Sequence, residues 1–156
     1  MRLAAALAAI ATATVVGPSA LAARTHLFTA SYPGHASATA SGKTAAGSVT
    51  ATGGGPTIGA GNVSGSGSGT LTGKNCFAVD GTGVLRGSAG TIRLSAHHAE
   101  MCAVSTTATT VSFAGSAAVT GGTARFARAG GELSFSGTYV QKSGTVKISF
   151  RGRISY

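Results

Sequence analysis

Asp80, Glu100 and Glu132 are the only three carboxylate side chains in this chain of 156 residues. So few acids leave no sign of the paired carboxylates on which glycoside hydrolysis depends. Asp80-Gly81 reads as a turn, and Glu132 opens a strand after two glycines. Cysteine is limited to Cys76 and Cys102, without the CxxC spacing of zinc and redox sites. No G-x-S-x-G nucleophile elbow is present despite abundant serine. Gly42-Lys43-Thr44 matches the end of a phosphate loop, but position 37 is Ser where that motif needs Gly. Good helix formers are scarce after residue 23, where Thr, Ser and Val outnumber Glu, Lys and Leu. No catalytic residue is assigned from the sequence, and no cofactor is expected.

What the chain does have is alternation. From Gly131 to Tyr156 two stretches of apolar/polar alternation are broken at Ser143-Gly144. Val146, Ile148, Phe150, Ile154 and Tyr156 share one face, with Gly152 continuing the register, while Thr145, Lys147, Ser149, Arg151, Arg153 and Ser155 share the other. Period-two patterning of this kind is that of a strand with one dry and one wet side. Shorter strand-like segments lie at 46–52, 57–63, 69–73, 76–87, 90–96, 99–105, 108–114 and 116–120, some of which should merge. Their separators are rich in Gly, including Gly65 to Gly69, a stretch that reads either as a linker or, because Val63 and Leu71 keep the register across it, as a strand. The 25 glycines follow no G-X-Y period, which excludes collagen, and no repeat length recurs as a solenoid requires. The expected fold is all-β: a single antiparallel barrel of about eight strands, with a β-sandwich as the alternative.

The first 22 residues read as a secretory signal peptide: a basic Met1-Arg2 start, an apolar Ala-rich run from Leu3 to Gly17, and a small-x-small site at Ala20-Leu21-Ala22. The run is shorter than the roughly 20 residues that span a bilayer. Export to a secreted or periplasmic location is therefore expected. Residues 23–45 are rich in Ser, Ala and Thr and are expected to be weakly structured, leaving 46–156 as the barrel domain.

Gly121-Gly-Thr-Ala-Arg-Phe-Ala-Arg-Ala-Gly-Gly-Glu-Leu-Ser-Phe-Ser-Gly137, followed by the strand ending Arg-Gly-Arg-Ile-Ser-Tyr156, resembles the GGTGRFAGATG…L…G element of small exported bacterial β-proteins. Those are similar in turn to the barrel of allene oxide cyclases and plant dirigent proteins. The chain carries Ala124 and Arg128 where that element has Gly. The resemblance implies an eight-stranded antiparallel barrel with a central cavity, not an activity.

In an exported chain an even pair of cysteines is read as a disulfide, here Cys76–Cys102. Closing that loop is worth about 3.5 kcal/mol on the chain-entropy model. Around Cys102 lies His97-His98-Ala99-Glu100-Met101-Cys102, where strand geometry puts His98, Glu100 and Cys102 on one face, with His97 and Met101 on the other. His98 and Glu100 are weak metal candidates, because ligands at i, i+2 and i+4 of a strand span about 13 Å; no metal site is assigned.

Twelve Lys and Arg give a formal charge of +9. Lys147, Arg151 and Arg153 share one side of the final strand and are the expected contact for an anionic envelope polymer or lipid; export makes nucleic acid an unexpected partner. The leading functional reading is a non-catalytic exported barrel that binds a small apolar ligand or such an anionic component. One alternative is a cyclase- or isomerase-like enzyme using the barrel cavity. Another, a small outer-membrane barrel, draws on the C-terminal Tyr156 but has only nine aromatic residues for two girdles.

Overall fold

The computed structural model describes residues 24–105 and 107–156. The expected signal peptide, 1–22, lies outside the described residues. The strands are β1 (Thr25–Ser41), β2 (Thr44–Gly55), β3 (Gly59–Leu71), β4 (Cys76–Gly87), β5 (Gly90–Ala103), β6 (Thr110–Gly122), β7 (Gly130–Val140) and β8 (Thr145–Ser155), with one 3-10 turn at Ala124–Phe126 between β6 and β7. Each strand pairs antiparallel with the next, and β8 returns to β1, so the sheet is a closed barrel rather than a sandwich.

The barrel starts at Thr25, not at residue 46. The segment read as weakly structured is β1, which runs beside β8 from Thr25↔Ser155 to His35↔Thr145 and beside β2 from Ser31↔Gly54 to Ser41↔Thr44. Composition hid this strand because small Ser, Ala and Thr residues carry little apolar signal, while its order comes from β8 along its first half and β2 along its second. Pro33 is accommodated where the β1–β2 pairing has a gap at Tyr32 and Pro33, so its missing N–H removes no bond there. The Gly65 to Gly69 stretch lies within β3, and Asp80-Gly81 lies within β4 instead of forming a turn. The short segments 90–96 and 99–105 merge into β5, as do 108–114 and 116–120 into β6.

The wall has a consistent sidedness. Phe28, Ala30, Tyr32, Val63, Leu85, Ile92, Leu94, Val119, Leu133, Val146, Ile148, Phe150 and Ile154 are buried inside. The alternate positions are exposed or half-buried hydroxyls along most strands, including Thr29, Ser31, Ser37, Thr39, Ser48, Thr50, Ser66, Ser68, Ser112, Ser116, Ser134 and Ser136. A lipid-facing barrel has the reverse arrangement, apolar outside and polar within.

One end of the barrel is sealed. Phe126, from the 3-10 turn, and Ile58, from the β2–β3 connection, are fully buried. Tyr156 packs edge-on against Phe126 at 5.0 Å and stacks on His26 at 4.5 Å. The Arg125 guanidinium lies 4.8 Å from the Tyr156 ring centre and donates to its hydroxyl at 2.9 Å. Ala124 adopts φ 52°, the left-handed conformation that favours glycine. This is one of the two positions where the chain departs from the glycines of the bacterial element.

At the opposite end the four connections are tied in sequence around the rim. Backbone amides of Leu71, Ala103, Gln141 and Ala36 donate to the carbonyls of Lys43, Asn75, Thr109 and Gly144. The first three bonds link the four connections in series, but the fourth meets β1 at Ala36, so the β1–β2 hairpin runs past the β7–β8 connection and the rim slants.

Phe150 is buried between Tyr32, at 6.0 Å, and Phe135, at 6.1 Å. Phe150→Ala is expected to cost about 3–5 kcal/mol in denaturant unfolding. The neighbouring exposed Arg151→Ala is expected to cost under about 0.5 kcal/mol; equal costs would mean that the two faces of β8 are wrongly assigned.

Candidate functional site

Between the rim and the packed end lies an apolar cavity of about 210 Å³. Its existence follows from which residues point inward. An eight-stranded barrel is just wide enough for side chains to fill, or for one small ligand where they do not. In the sealed half Phe, Tyr, Leu and Ile fill it. In the open half β2, β3 and β4 place Gly47, Gly65, Gly67, Gly81 and Gly83 on the inner face, in register as Gly47↔Gly67↔Gly81 and Gly65↔Gly83. Opposite this bare wall stand Phe113, Phe135, Tyr139, Val146 and Ile148.

The glycines are required by the backbone as well as by the space. A Cβ at Gly67 would lie 2.7 Å from the Asp80 carbonyl oxygen, and one at Gly81 2.7 Å from that of Ser66. The coiled wall brings strand against strand closely enough to exclude side chains there. Gly83 is looser, with 3.3 Å to the Ser64 oxygen.

A bulge in β5 decides what the cavity chemistry is. Ile92, Leu94 and Ala96 point inward, but the register with β6 shifts between Ala96 and Glu100, after which Ala99, Met101 and Ala103 are the inward residues. His98 has φ 54°, and its amide donates to Asp80 Oδ1 at 2.7 Å. Without the extra residue, His98, Glu100 and Cys102 would continue the inward set and carry polar groups into an apolar interior. The bulge also corrects the expected faces. His97 is not opposite His98; both are exposed, and His97 Nδ1 lies 3.7 Å from Asp80 Oδ1.

Cys76 and Cys102 face each other across β4 and β5 and form the expected disulfide, with Cα atoms 4.2 Å apart. Glu100 Oε1 is 3.4 Å from Cys102 Sγ on the same outer face. Among the described residues, the one cluster of candidate ligand atoms is Cys76, Glu100 and Cys102. Both sulfurs are committed to the disulfide, so no thiolate is left to ligate. His98 does not join that cluster.

The cationic side chains are sorted by end, which the sequence did not reveal. Lys43, Lys74 and Lys142 occupy three of the four rim connections, and Lys147 lies near the same end of β8. Arg24, Arg86, Arg93, Arg125, Arg128, Arg151 and Arg153 are all exposed toward the sealed half, where Glu132 is the sole acid. The expected face of Lys147, Arg151 and Arg153 is outward as read from the alternation, but it spans this division. Only the strand topology, which folds residues 24, 86, 125 and 153 back to one end, brings the arginines together.

Tyr32 is fully buried below the cavity, and its hydroxyl has no hydrogen-bond partner among the described residues. Burial pushes the phenol from 10.0 up to about 12.

The chain matches no family model, no curated protein and no solved structure.

Tyr32 carries a prediction for alkaline pH. The native phenol keeps its proton to about pH 12, whereas the unfolded chain releases it near 10.0. Stability from this group is therefore intact below pH 10 and falls across the pH 10–12 window, by about 2–3 kcal/mol in all. Tyr32→Phe should remove that fall relative to the parent in urea unfolding at pH 8 and pH 11.5. Parallel losses in both proteins would mean that Tyr32 is not the buried group.

Proposed function

We propose that this protein is an exported, non-catalytic binding barrel whose cavity takes a small apolar ligand. The observation that carries the reading is the glycine-walled cavity, open at a hydrogen-bonded rim and lined by Ala, Val, Met and Phe side chains. The disulfide is consistent with an oxidising compartment outside the cytoplasm.

The cyclase- or isomerase-like alternative has less support. Glu100 and Tyr139 are the ionisable residues around the cavity, and Glu100 alternates with the inward Ala99 and Met101, which turns its carboxylate outward beside the disulfide. Convergent polar groups of the kind that steer a reaction are missing from the inner wall of the described residues. The outer-membrane alternative is disfavoured by the hydroxyl-rich outer face.

A second reading, contact with an anionic envelope polymer or lipid, is favoured by the arginines gathered around the sealed half. Arginine suits phosphate and carboxylate oxygens through its paired donors. Lys147, Arg151 and Arg153 extend that positive surface along β8.

Mass spectrometry of natively purified protein is expected to show a retained apolar ligand. Ala96→Leu, which projects into the cavity, should abolish retention, whereas Ala114→Leu on the outer face should not. Equal retention by both variants would remove the cavity from the explanation. Sedimentation with anionic vesicles should weaken as salt rises from about 0.15 to 1 M, where the screening length falls from about 8 to about 3 Å. A Lys147→Gln/Arg151→Gln/Arg153→Gln variant should bind less than the parent; salt-independent binding, or an unchanged variant, would mean that this face is only solvated.

A further inference from the structure

We propose that the cavity receives a single-chain anionic amphiphile, with its tail against the glycine wall and its head group at a collar formed by Lys43, Lys74 and Lys142. The inference rests on the reading of the cavity as a ligand site and specifies the chemistry of that ligand.

The tail follows from the size and lining of the cavity. On a scale where about 150 Å³ admits benzene, the roughly 210 Å³ available holds about eight to ten heavy atoms. That is one short chain, not two. The inward side chains of the open half are Ala36, Val49, Val79, Ala96, Met101 and the aromatic pair Phe113 and Phe135, which offer no charge partner. A ligand's polar group therefore loses its hydration without compensation unless it stays at the mouth.

The sign of the head group follows from the rim. The β1–β2, β3–β4 and β7–β8 connections each bring one exposed lysine, and the fourth connection, 104–109, is Val, Ser, Thr and Ala. No acidic residue occurs in any of the four. Asp80 lies below the rim at the bulge, and Glu100 lies on the outer surface beside the disulfide, turned away from the cavity. The connections are bonded in series from Lys43 to Gln141, which holds the three lysines along one rim, with the β1–β2 hairpin and its Lys43 reaching past the β7–β8 connection. Lysine suits this place because its flexible stem lets one point charge follow a head group while the tail settles. Val104 and Leu71, two of the three large exposed apolar side chains among the described residues, are also at this end.

The test uses three ligands built on a ten-carbon chain, decanoate, decanol and decyltrimethylammonium, titrated into the disulfide-intact protein at low salt. Decanoate is expected to bind about tenfold more tightly than decanol, as three weak surface charge contacts would provide, and the cation to bind most weakly. Lys43→Gln/Lys74→Gln/Lys142→Gln should bring decanoate to the affinity of decanol and leave decanol unchanged. Ala96→Leu should weaken both. If the three ligands bind equally and the lysine variant changes nothing, the collar is refuted while the cavity reading stands. If none binds, both fall.

Discussion

The pairing of β1 with β8 is the contact on which everything else in this structure depends. A sheet of eight strands left open would expose two edges and a face of Phe, Ile, Leu and Val to water. Closure removes both edges at once and turns that face into an interior. It does so through a segment with little hydrophobic pull of its own, since β1 beyond Tyr32 is Pro, Gly, His, Ala, Ser and Thr. Backbone pairing with β8 along its first half and with β2 along its second compensates for the weak side-chain signal, and Phe28, Ala30 and Tyr32 anchor the first half in the core.

Closing so narrow a barrel imposes a second constraint. Where the wall coils most tightly, carbonyl oxygens of one strand approach Cα atoms of the next, and only glycine fits. In the sealed half, large residues on other strands occupy the space released. In the open half they do not, and a cavity remains. The same glycines that permit the curvature thus leave the room for a ligand, which joins a backbone requirement to the proposed function. Their usual cost in a strand is conformational entropy; here part of that cost is met by the disulfide, which ties β4 to β5 at the rim.

Polar groups are kept out of the interior by one irregularity, the β5 bulge, whose unpaired His98 amide is satisfied by the Asp80 carboxylate. The consequence is a cavity with apolar walls and charged surroundings only at its ends. Lysine at the mouth and arginine at the base give the barrel two cationic poles of different chemistry. Under the proposed reading, the first would meet a single head group and the second oxyanions on an extended surface.

Alternation in Leu133, Phe135, Val146, Ile148 and Phe150 was enough to assign the all-β class, the sidedness of β7 and β8, and the outward direction of Lys147, Arg151 and Arg153, because period two is a local property of strands. The cysteine pair was legible from its even number together with the expected export. Three features were not: the ordering of β1, the reversal of faces at His97-His98, and the sorting of Lys from Arg. Each depends on partners far away in the chain. The first half of β1 is ordered by β8, more than a hundred positions later, the bulge is defined by its register with β6 and Asp80, and the two poles arise only when successive hairpins return to the same ends. Sequence by itself determined which residues face inward or outward over short runs, since that follows from backbone geometry. Tertiary structure alone decided where the barrel closes, which half stays empty, and which charges surround the opening, since those are set by strand register around a ring.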